Sequence, residues 1–404
     1  MGKRWAVVVA CGLLLPGCGG SKPGQAQLTM WLVGSESQAQ TVNALAKPFT
    51  ERTGVKVRCE AISWGEAHSK YLTAVAGGVE PDIGTMGLTW GVEFGRLGAL
   101  LDLRKEFPEG VTAIQQATFP GLWDSVEEGG RVFGIPFDVS VQLLFYRTDL
   151  IAQPPQTWDE LVETLERLLK DNRRMIVDWG NLSWIGYAPF LWQAGGDFYN
   201  AGRTAGALTS SQAVKALEFF RDLYLRHDVP RTAIPLEQGM RTGDFPLAIS
   251  GNWKIISLMT GAPEIADKWA IALLPKGPSG KRTAFLGGRT ATIFARSPHP
   301  AEAWAFLQYL FEPSVQMKLY ENGMASFDAY LPPNVASWEA LPMDLGMKAV
   351  LKQQIQEAKG PPAVTGWTET THALESAIQS VILKNANPKA ELEVANDAIS
   401  RNIQ

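Results

Sequence analysis

Segments with the two-residue hydrophobic period of β-strands alternate with segments of helical period along most of this chain. The run QLTMWLV predicts a first strand, and the residues up to Gly54 predict a helix with Ala44, Leu45 and Phe49 on one face. A second strand (VKVRCEAIS), a second helix, a third strand (PDIGTMG) and a short helix follow. Strands that alternate with helices in this way build βαβ units, so we expect a largely parallel sheet covered by helices.

The alternation starts again after residue 150. The segment TWDELVETLERLLKD predicts a helix that is capped by Thr157 and presents Leu161, Leu165 and Leu168 on one face. Further helices are predicted near 183–194 and 210–227, further strands at FPLAIS, WAIALLP and GGRTATIFARS, and mostly helix after them. A chain of 404 residues that is 46% hydrophobic is long enough for two domains, so we expect an α/β protein with two sheet-forming centres.

The N-terminal residues predict export. A basic start (KR) precedes an apolar run at 6–15, which is too short to cross the ~30 Å hydrocarbon core of a membrane. This pattern predicts a signal peptide over 1–17. The sequence LPGC resembles the lipobox of bacterial lipoproteins, which implies that Cys18 becomes the lipidated first residue and that 18–26 forms a flexible tether. The alternative is an ordinary signal peptide in which Cys18 has no special role.

Cysteine usage and charge exclude several kinds of partner. Cys11 leaves with the signal peptide and Cys18 carries lipid, so Cys59 has no partner for a disulfide and is expected in the core of a strand. There is no CxxC motif or Cys/His cluster, and we expect no metal and no cofactor. Removing Lys3 and Arg4 from the 37 basic residues leaves 35 against 41 acidic ones, a net charge of −6. Without a basic stripe, nucleic acid is not an expected partner.

Motifs in a fixed order along residues 27–330 resemble the extracellular solute-binding proteins of carbohydrate ABC importers, the maltose-binding protein class. They include PFTERTGVKVRCEAI, YLTAVAGGVEPDIGTM, GRVFGIPFDVSVQLLFYRTDLI, GDFPLAISGNW and LGGRTATIFARSPHPAEAWAFLQYLF. The resemblance implies a two-lobed periplasmic-binding-protein fold (type II), with a ligand cleft between lobes joined by hinge crossings. It also implies closure of the lobes around a ligand that touches both of them.

The resemblance further implies how the chain is divided. Lobe 1 is expected to contain 27–138 and 288–327, and lobe 2 to contain 139–287 and 328–404. The crossings are expected near residues 138–141, 286–289 and 327–331. The expected partners are a small sugar or oligosaccharide, the permease subunits of an ABC importer, and the membrane through the lipid on Cys18. The protein is expected as a monomeric lipoprotein at the outer face of the cytoplasmic membrane or in the periplasm.

The 14 tryptophans suit a sugar ligand, because an indole covers the apolar C–H face of a pyranose and nearby polar groups bind its hydroxyls. Ligands of open α/β sheets lie beyond the carboxyl ends of strands. The candidate ligand-binding residues follow predicted strands, occupy crossings, or lie in the aromatic segment or the Pro/Gly-rich segment of the second lobe: Glu36, Trp64, Thr89, Trp90, Asp138, Ser140, Trp184, Tyr187, Asp197, Trp253, Gly288, Arg289 and Trp367.

The resemblance singles out some of these candidates. Trp253 matches the stacking tryptophan of the family's GPW turn, and a ring-stacking aromatic of the family falls near Trp184 and Tyr187. Thr89 and Trp90 stand where maltose-binding protein has a sugar-binding Asp-Arg pair, so the chemistry at that place must differ in this chain.

Alternatives remain open for the charged candidates and for the function. Asp138 either binds ligand hydroxyls or makes a hinge hydrogen bond, and Arg289 either donates to the ligand or pairs with an acidic neighbour. The same family includes carriers of polyols, polyamines, iron and phosphoesters. A secreted glycosidase would need two acids ~5–9.5 Å apart, and a scaffold lipoprotein would need no cleft. No GxSxG, HExxH or P-loop motif is present, and we expect a binding protein and not an enzyme.

Overall fold

The computed structural model describes residues 26–364 and 366–402. The predicted signal peptide and the lipidated Cys18 lie outside these residues. The described strands are β1 Gln27–Val33, β2 Lys56–Ile62, β3 Ile83–Gly87, β4 Glu127–Glu128, β5 Arg131–Val132, β6 Ile135–Pro136, β7 Ser140–Arg147, β8 Met175–Val177, β9 Leu247–Gly251, β10 Trp269–Ala272, β11 Leu286–Gly287 and β12 Arg289–Ile293.

The helices connect and cover these strands. They are α1 Glu36–Thr53, α2 Trp64–Gly77, α3 Trp90–Arg96, α4 Leu103–Glu106, α5 Pro108–Ala117, α6 Pro120–Trp123, α7 Trp158–Lys170, α8 Trp184–Gln193, α9 Ser211–Leu225, α10 Leu236–Thr242, α11 Lys254–Gly261, α12 Pro300–Phe311, α13 Pro313–Ala325, α14 Leu345–Gln356, α15 Trp367–Lys384 and α16 Pro388–Asn402. Short 3-10 helices occupy Pro263–Ile265 and Val335–Trp338.

The strands form two main sheets. Sheet I has the order β2-β1-β3-β12-β6, in which β1 is parallel to β2 and β3 while β12 runs antiparallel to β3 and β6. Sheet II has the order β10-β7-β9-β8, and β11 pairs with β7. The two sheet-forming centres predicted from the sequence are confirmed. The expected largely parallel arrangement holds for β1–β3, but β12 is antiparallel in sheet I and β7 is antiparallel to β9 and β10 in sheet II.

Local sequence explains where the first helices begin and end. The Ser35 hydroxyl accepts from the Gln38 backbone N–H while the Gln38 side chain accepts from the Ser35 backbone N–H, a complete capping box for α1. Gly54 ends this helix in the left-handed conformation with φ 80°. Thr157 caps α7 by accepting from the Glu160 backbone N–H, as its sequence predicts. These caps fix where α1 begins and ends and where α7 begins.

Each sheet has its own hydrophobic core. Leu28, Met30 and Leu32 of β1 pack with Phe49 of α1 in the core of sheet I, and Cys59 belongs to the same cluster. Burial raises the pKa of the Cys59 thiol to about 12, so this cysteine is a core residue, as predicted. The strands and helices of sheet II share a larger cluster.

Among the helices within residues 26–364 and 366–402, none combines the length and the apolarity that a membrane span requires.

The chain passes between the two sheets at three places, which we call crossings 1, 2 and 3. Crossing 1 (137–139) joins β6 to β7, and crossing 2 (Gly288) joins β11 to β12. Crossing 3 (326–331) leads from α13, which packs on α1, to α14, which packs on β7 and β10. Backbone hydrogen bonds hold them side by side: Phe137 N–H donates to the Arg289 carbonyl (2.8 Å) and Val139 N–H to the Leu331 carbonyl (3.0 Å).

Candidate functional site

A cavity of about 570 Å³ lies at the crossings and is lined from both sheets. On the sheet I side it is reached by the residues after β2 and β3, and on the sheet II side by those after β8 and β9. These are carboxyl ends of strands, where open α/β sheets bind ligands. Its size lies within the ~300–1,000 Å³ of ordinary small-molecule sites.

Tryptophan side chains dominate the lining. The five indoles among its described residues are Trp64, Trp90, Trp179, Trp184 and Trp253. Trp64 and Trp90 pair edge-on with ring centroids 5.9 Å apart, and Trp179 and Trp253 do so at 4.6 Å. The cavity therefore offers aromatic surface from both of its sides, which suits a flat, partly apolar solute.

Glycines let these indoles lie close to the backbone. A Cβ on Gly251 would stand 2.0 Å from the Trp253 ring, and one on Gly287 would stand 2.9 Å from the Trp179 ring. Any side chain at these strand ends would push the indoles away from their positions. The glycines at these strand ends therefore help to position the aromatic surface of the cavity.

A buried ion pair joins crossings 1 and 2 at the cavity wall. Arg289 Nε donates to Asp138 Oδ2 (2.7 Å), its second guanidinium nitrogen pairs with the same oxygen, and its backbone N–H donates to Asp138 Oδ1 (2.8 Å). The side chains of Arg289 and Asp138 are 5% and 8% exposed. Burial alone would lower the pKa of Arg289, but the Asp138 carboxylate outweighs it and raises this pKa above its ordinary value.

The same arginine connects crossing 3 to the network. Arg289 Nη1 donates to Gln38 Oε1 (2.9 Å), and Gln38 Nε2 donates to Asp328 Oδ1 (2.7 Å). Ser35 also donates to Asp328 through its hydroxyl. The guanidinium lies over the Tyr330 ring, 4.5 Å from its centroid. One polar network therefore ties all three crossings to the start of α1.

Gly288 is required by the tight turn of crossing 2. Its φ is +132°, and an added Cβ would lie 2.4 Å from the Asp138 carbonyl oxygen. Only glycine permits this backbone conformation and this close approach without strain.

The structure brings most of the sequence candidates together. Those that line the cavity are Trp64, Thr89, Trp90, Asp138, Ser140, Trp184, Trp253, Gly288 and Arg289. Of the two charged candidates, Asp138 makes hinge hydrogen bonds and Arg289 pairs with this acidic neighbour, while both also line the cavity.

Two aromatic candidates lie outside the cavity and must be corrected. Tyr187 is fully buried, because it lies on the side of α8 that packs against α9. Its hydroxyl donates to the Ala213 carbonyl (2.9 Å). Trp367 is 5% exposed and meets the Trp184 ring edge-on at 5.0 Å. It supports Trp184 from behind and does not line the cavity.

Two acidic candidates are also corrected. Glu36 is exposed on α1, and Gln38 lines the cavity in its place, because residues two apart on a helix point about 200° apart. Asp197 forms an ion pair with Lys359 and accepts from the Phe198 backbone N–H (2.8 Å) outside the cavity. Its carboxylate is held by these local contacts.

Sequence reasoning missed several lining residues. Trp179 lies just after β8, in the segment VDWGN, as Trp253 lies just after β9. The same signal, a tryptophan that follows a strand end, could therefore have identified it. Phe285, Asp328 and Tyr330 had no such signal. Phe285 precedes β11 in the chain, and the other two belong to crossing 3, where only the folded chain shows which side chains face the cavity.

His68 packs against Trp90 from outside the cavity lining, and its pKa predicts how the stability of the fold depends on pH. His68 Nε2 lies 3.0 Å from Glu93 Oε2, and its ring meets Trp90 edge-on at 5.3 Å. The hydrogen bond to Glu93 raises the pKa of His68, although partial burial lowers it. The imidazolium therefore stabilises the folded state fully below its ordinary pKa of about 6.5, and this contribution is lost as pH rises through the raised pKa.

We expect the melting temperature of the wild type to exceed that of His68→Gln most at about pH 6, and the difference to shrink towards about pH 9. His227, whose pKa is lowered by burial, destabilises the fold as pH falls. It is present in both proteins, so its effect cancels in the difference. A difference that stays constant across this range would contradict the His68–Glu93 interaction.

Two α/β sheets, three crossings and an aromatic cavity between them define a two-lobed binding protein. The chain belongs to the family of bacterial extracellular solute-binding proteins, whose model matches residues 44–342. The family and the fold predicted from the sequence are confirmed.

Individual relatives cover most of the chain. A binding protein of Brucella abortus (strain 2308) is 23% identical over 425 residues, 97% of each chain. The diacetylchitobiose binding protein of Streptomyces coelicolor is 24% identical over 84% of this chain and 79% of its own. Among solved structures, the sugar-binding protein MalE from Xanthomonas citri has a TM-score of 0.82 at 23% identity, over 94% of this chain and 97% of its own.

Proposed function

We propose that this protein captures a sugar or short oligosaccharide in its cavity and delivers it to the membrane subunits of an ABC importer by closing its lobes. The observation that carries this proposal is the lining of five indoles drawn from both sheets. Relatives whose names specify diacetylchitobiose and sugar binding support it. A solute held between indoles of both lobes makes all its contacts only in the closed form, so binding favours closure.

The charges of the cavity favour a neutral solute. Asp138 and Arg289 neutralise each other, which leaves Asp328, held by hydrogen bonds from Ser35 and Gln38, as the one charged side chain of the described lining without an ion-pair partner. A phosphoester would require free arginines, and a polyamine would require more than one unpaired carboxylate beside the indoles. Two stacked rings and several hydrogen bonds could reach about 8 kcal/mol, a micromolar affinity.

Binding without catalysis is the role that these side chains support. The carboxylates among the described lining residues are Asp138 and Asp328, and Asp138 is already neutralised by Arg289. A glycosidase requires one carboxyl group that gives a proton and another that acts as base or nucleophile. An ion-paired, buried Asp138 is unsuited to either role.

Strand membership supports the division into two lobes, 27–138 with 288–327 and 139–287 with 328–404. The strands of sheet I all fall in the first set of residues, and those of sheet II fall in the second. The family is extracellular, which supports an exported protein. Anchoring through Cys18, delivery to a permease and a monomeric state belong to the proposal.

Thermal unfolding of the purified protein against mono- and oligosaccharides, polyols and polyamines tests the function. A ligand at about 100 times its dissociation constant adds about 2.7 kcal/mol to the stability of the folded state, and we expect the midpoint to rise by a few degrees for one group of sugars. A shift with a charged solute alone would overturn the sugar assignment. As a control for hydrolysis, oligosaccharides are incubated with the protein, and we expect them to remain intact.

A further inference from the structure

An apolar groove of about 180 Å³ lies beside the cavity, between α11, α13 and the start of α14. The side chains that shape it include Ile255, Met259, Met324, Met343 and Met347. Met259 is 49% exposed, although it is large and apolar. A concave apolar surface can take up an apolar group, and methionines adapt their shape to a ligand.

The groove adjoins the cavity. Asn252, Trp253, Ala329 and Leu331 line both spaces, so the two meet along these four residues. Trp253 is 36% exposed and lies at this junction. A sugar ring placed against Trp253 would direct a substituent on one side of the ring towards the groove.

The polar side chains of the groove are few, and Asn252 and Asp344 each use one side-chain oxygen within the protein. Asn252 Oδ1 accepts from the Val141 backbone N–H (2.8 Å), and Asp344 Oδ1 accepts from the Met347 backbone N–H (2.9 Å) to cap α14. The remaining lining is apolar apart from the Tyr320 hydroxyl. A second sugar ring would lose hydrogen bonds to water here and regain few, so the groove selects against it.

The volume sets the size of the group that fits. An apolar cavity of about 150 Å³ holds one benzene molecule in another protein. A groove of 180 Å³ therefore accepts one six-membered carbon ring or a branched alkyl group of similar size.

We propose that this groove is a subsite for an apolar aglycone, an aryl or branched alkyl group joined to the sugar bound in the neighbouring cavity. The proposal rests on the proposed sugar-binding function. The natural solute is then a glycoside whose sugar contacts the indoles and whose aglycone contacts Met259 and Met347.

Calorimetric titration with pairs of phenyl and methyl glycosides, in both anomers of glucose and galactose, tests this subsite. We expect the phenyl glycoside of one pair to bind at least about tenfold more tightly than its methyl partner. In Met259→Glu the two affinities should become nearly equal, with methyl glycoside binding unchanged. The control is Leu383→Glu, which places the same charge at a side chain of matched exposure (50%) on α15, away from the groove, and should keep the tenfold preference.

The outcomes separate the two proposals. Two results would overturn the subsite and keep the sugar-binding function. One is sugar binding without tighter binding of the phenyl glycoside, and the other is a phenyl preference that survives in Met259→Glu. Either result would leave the groove to a macromolecular partner. A panel in which no sugar or glycoside binds would overturn both.

Discussion

Replacing Arg289 by methionine is expected to lower the free energy of unfolding by about 3–5 kcal/mol. Methionine keeps the apolar stem but leaves Asp138, whose side chain is 8% exposed, without a cation in a region of low dielectric. It also removes the donors to Gln38 and to the Val33 carbonyl (2.5 Å), so the tie between crossings 2 and 3 is lost. Urea unfolding of both proteins measures the loss.

A double-mutant cycle controls for the change of side chain. Asp138→Asn keeps an acceptor for the Arg289 backbone N–H, and the double variant should lose clearly less than the sum of the two single losses. Arg96→Met is the matched surface control, because Arg96 pairs with Glu128 in similar geometry but is 43% exposed. It should lose no more than about 1 kcal/mol. Additive single losses below about 1 kcal/mol would show that the Asp138–Arg289 pair does not stabilise the crossings.

Trp253→Ala is expected to weaken binding of the solute found by thermal screening at least tenfold, about 1.4 kcal/mol. Trp253 lies over Gly251 and meets Trp179 edge-on, so its truncation removes one aromatic wall of the cavity and leaves the other free to move. It is 36% exposed, and the fold should stay intact. Calorimetric titration gives the affinity, and the unfolding curve checks the fold.

Trp31→Ala is the matched control for this variant. Trp31 is partly exposed like Trp253, but it lies in β1 and packs on Tyr71 outside the cavity lining. We expect it to alter stability and to leave affinity within about twofold. Equal affinity of Trp253→Ala and the wild type would mean that the solute binds elsewhere.

Local patterns predicted the fold because each element carries its own signals. The capping box at Ser35, the cap at Thr157 and the period of Leu161, Leu165 and Leu168 are short-range features, and the structure confirms the helices that they predict. The order of strands in each sheet was not predicted from the sequence. Alternation alone does not say that β12 would lie between β3 and β6.

The site was predicted where it depends on strand ends and missed where it depends on packing. Trp90 and Trp253 follow strands directly, so position along the chain placed them. Tyr187 lies in an aromatic segment and Trp367 in a Pro/Gly-rich one, and only the packing of α8 against α9 and α15 separates core from lining. Asp328 and Tyr330 come from crossing 3, whose path is set by contacts with crossings 1 and 2.

The position of β12 in sheet I also sets the order of events during synthesis. This strand is made from residues 289–293 of 404, yet β6 is joined to the rest of sheet I through it. The first half of the chain therefore leaves the ribosome without the means to complete its own sheet. Pairing between such distant segments closes a long loop and is slow. Sheet I is therefore expected to be completed late in folding, after residues 289–293 have been made and have paired with both β3 and β6.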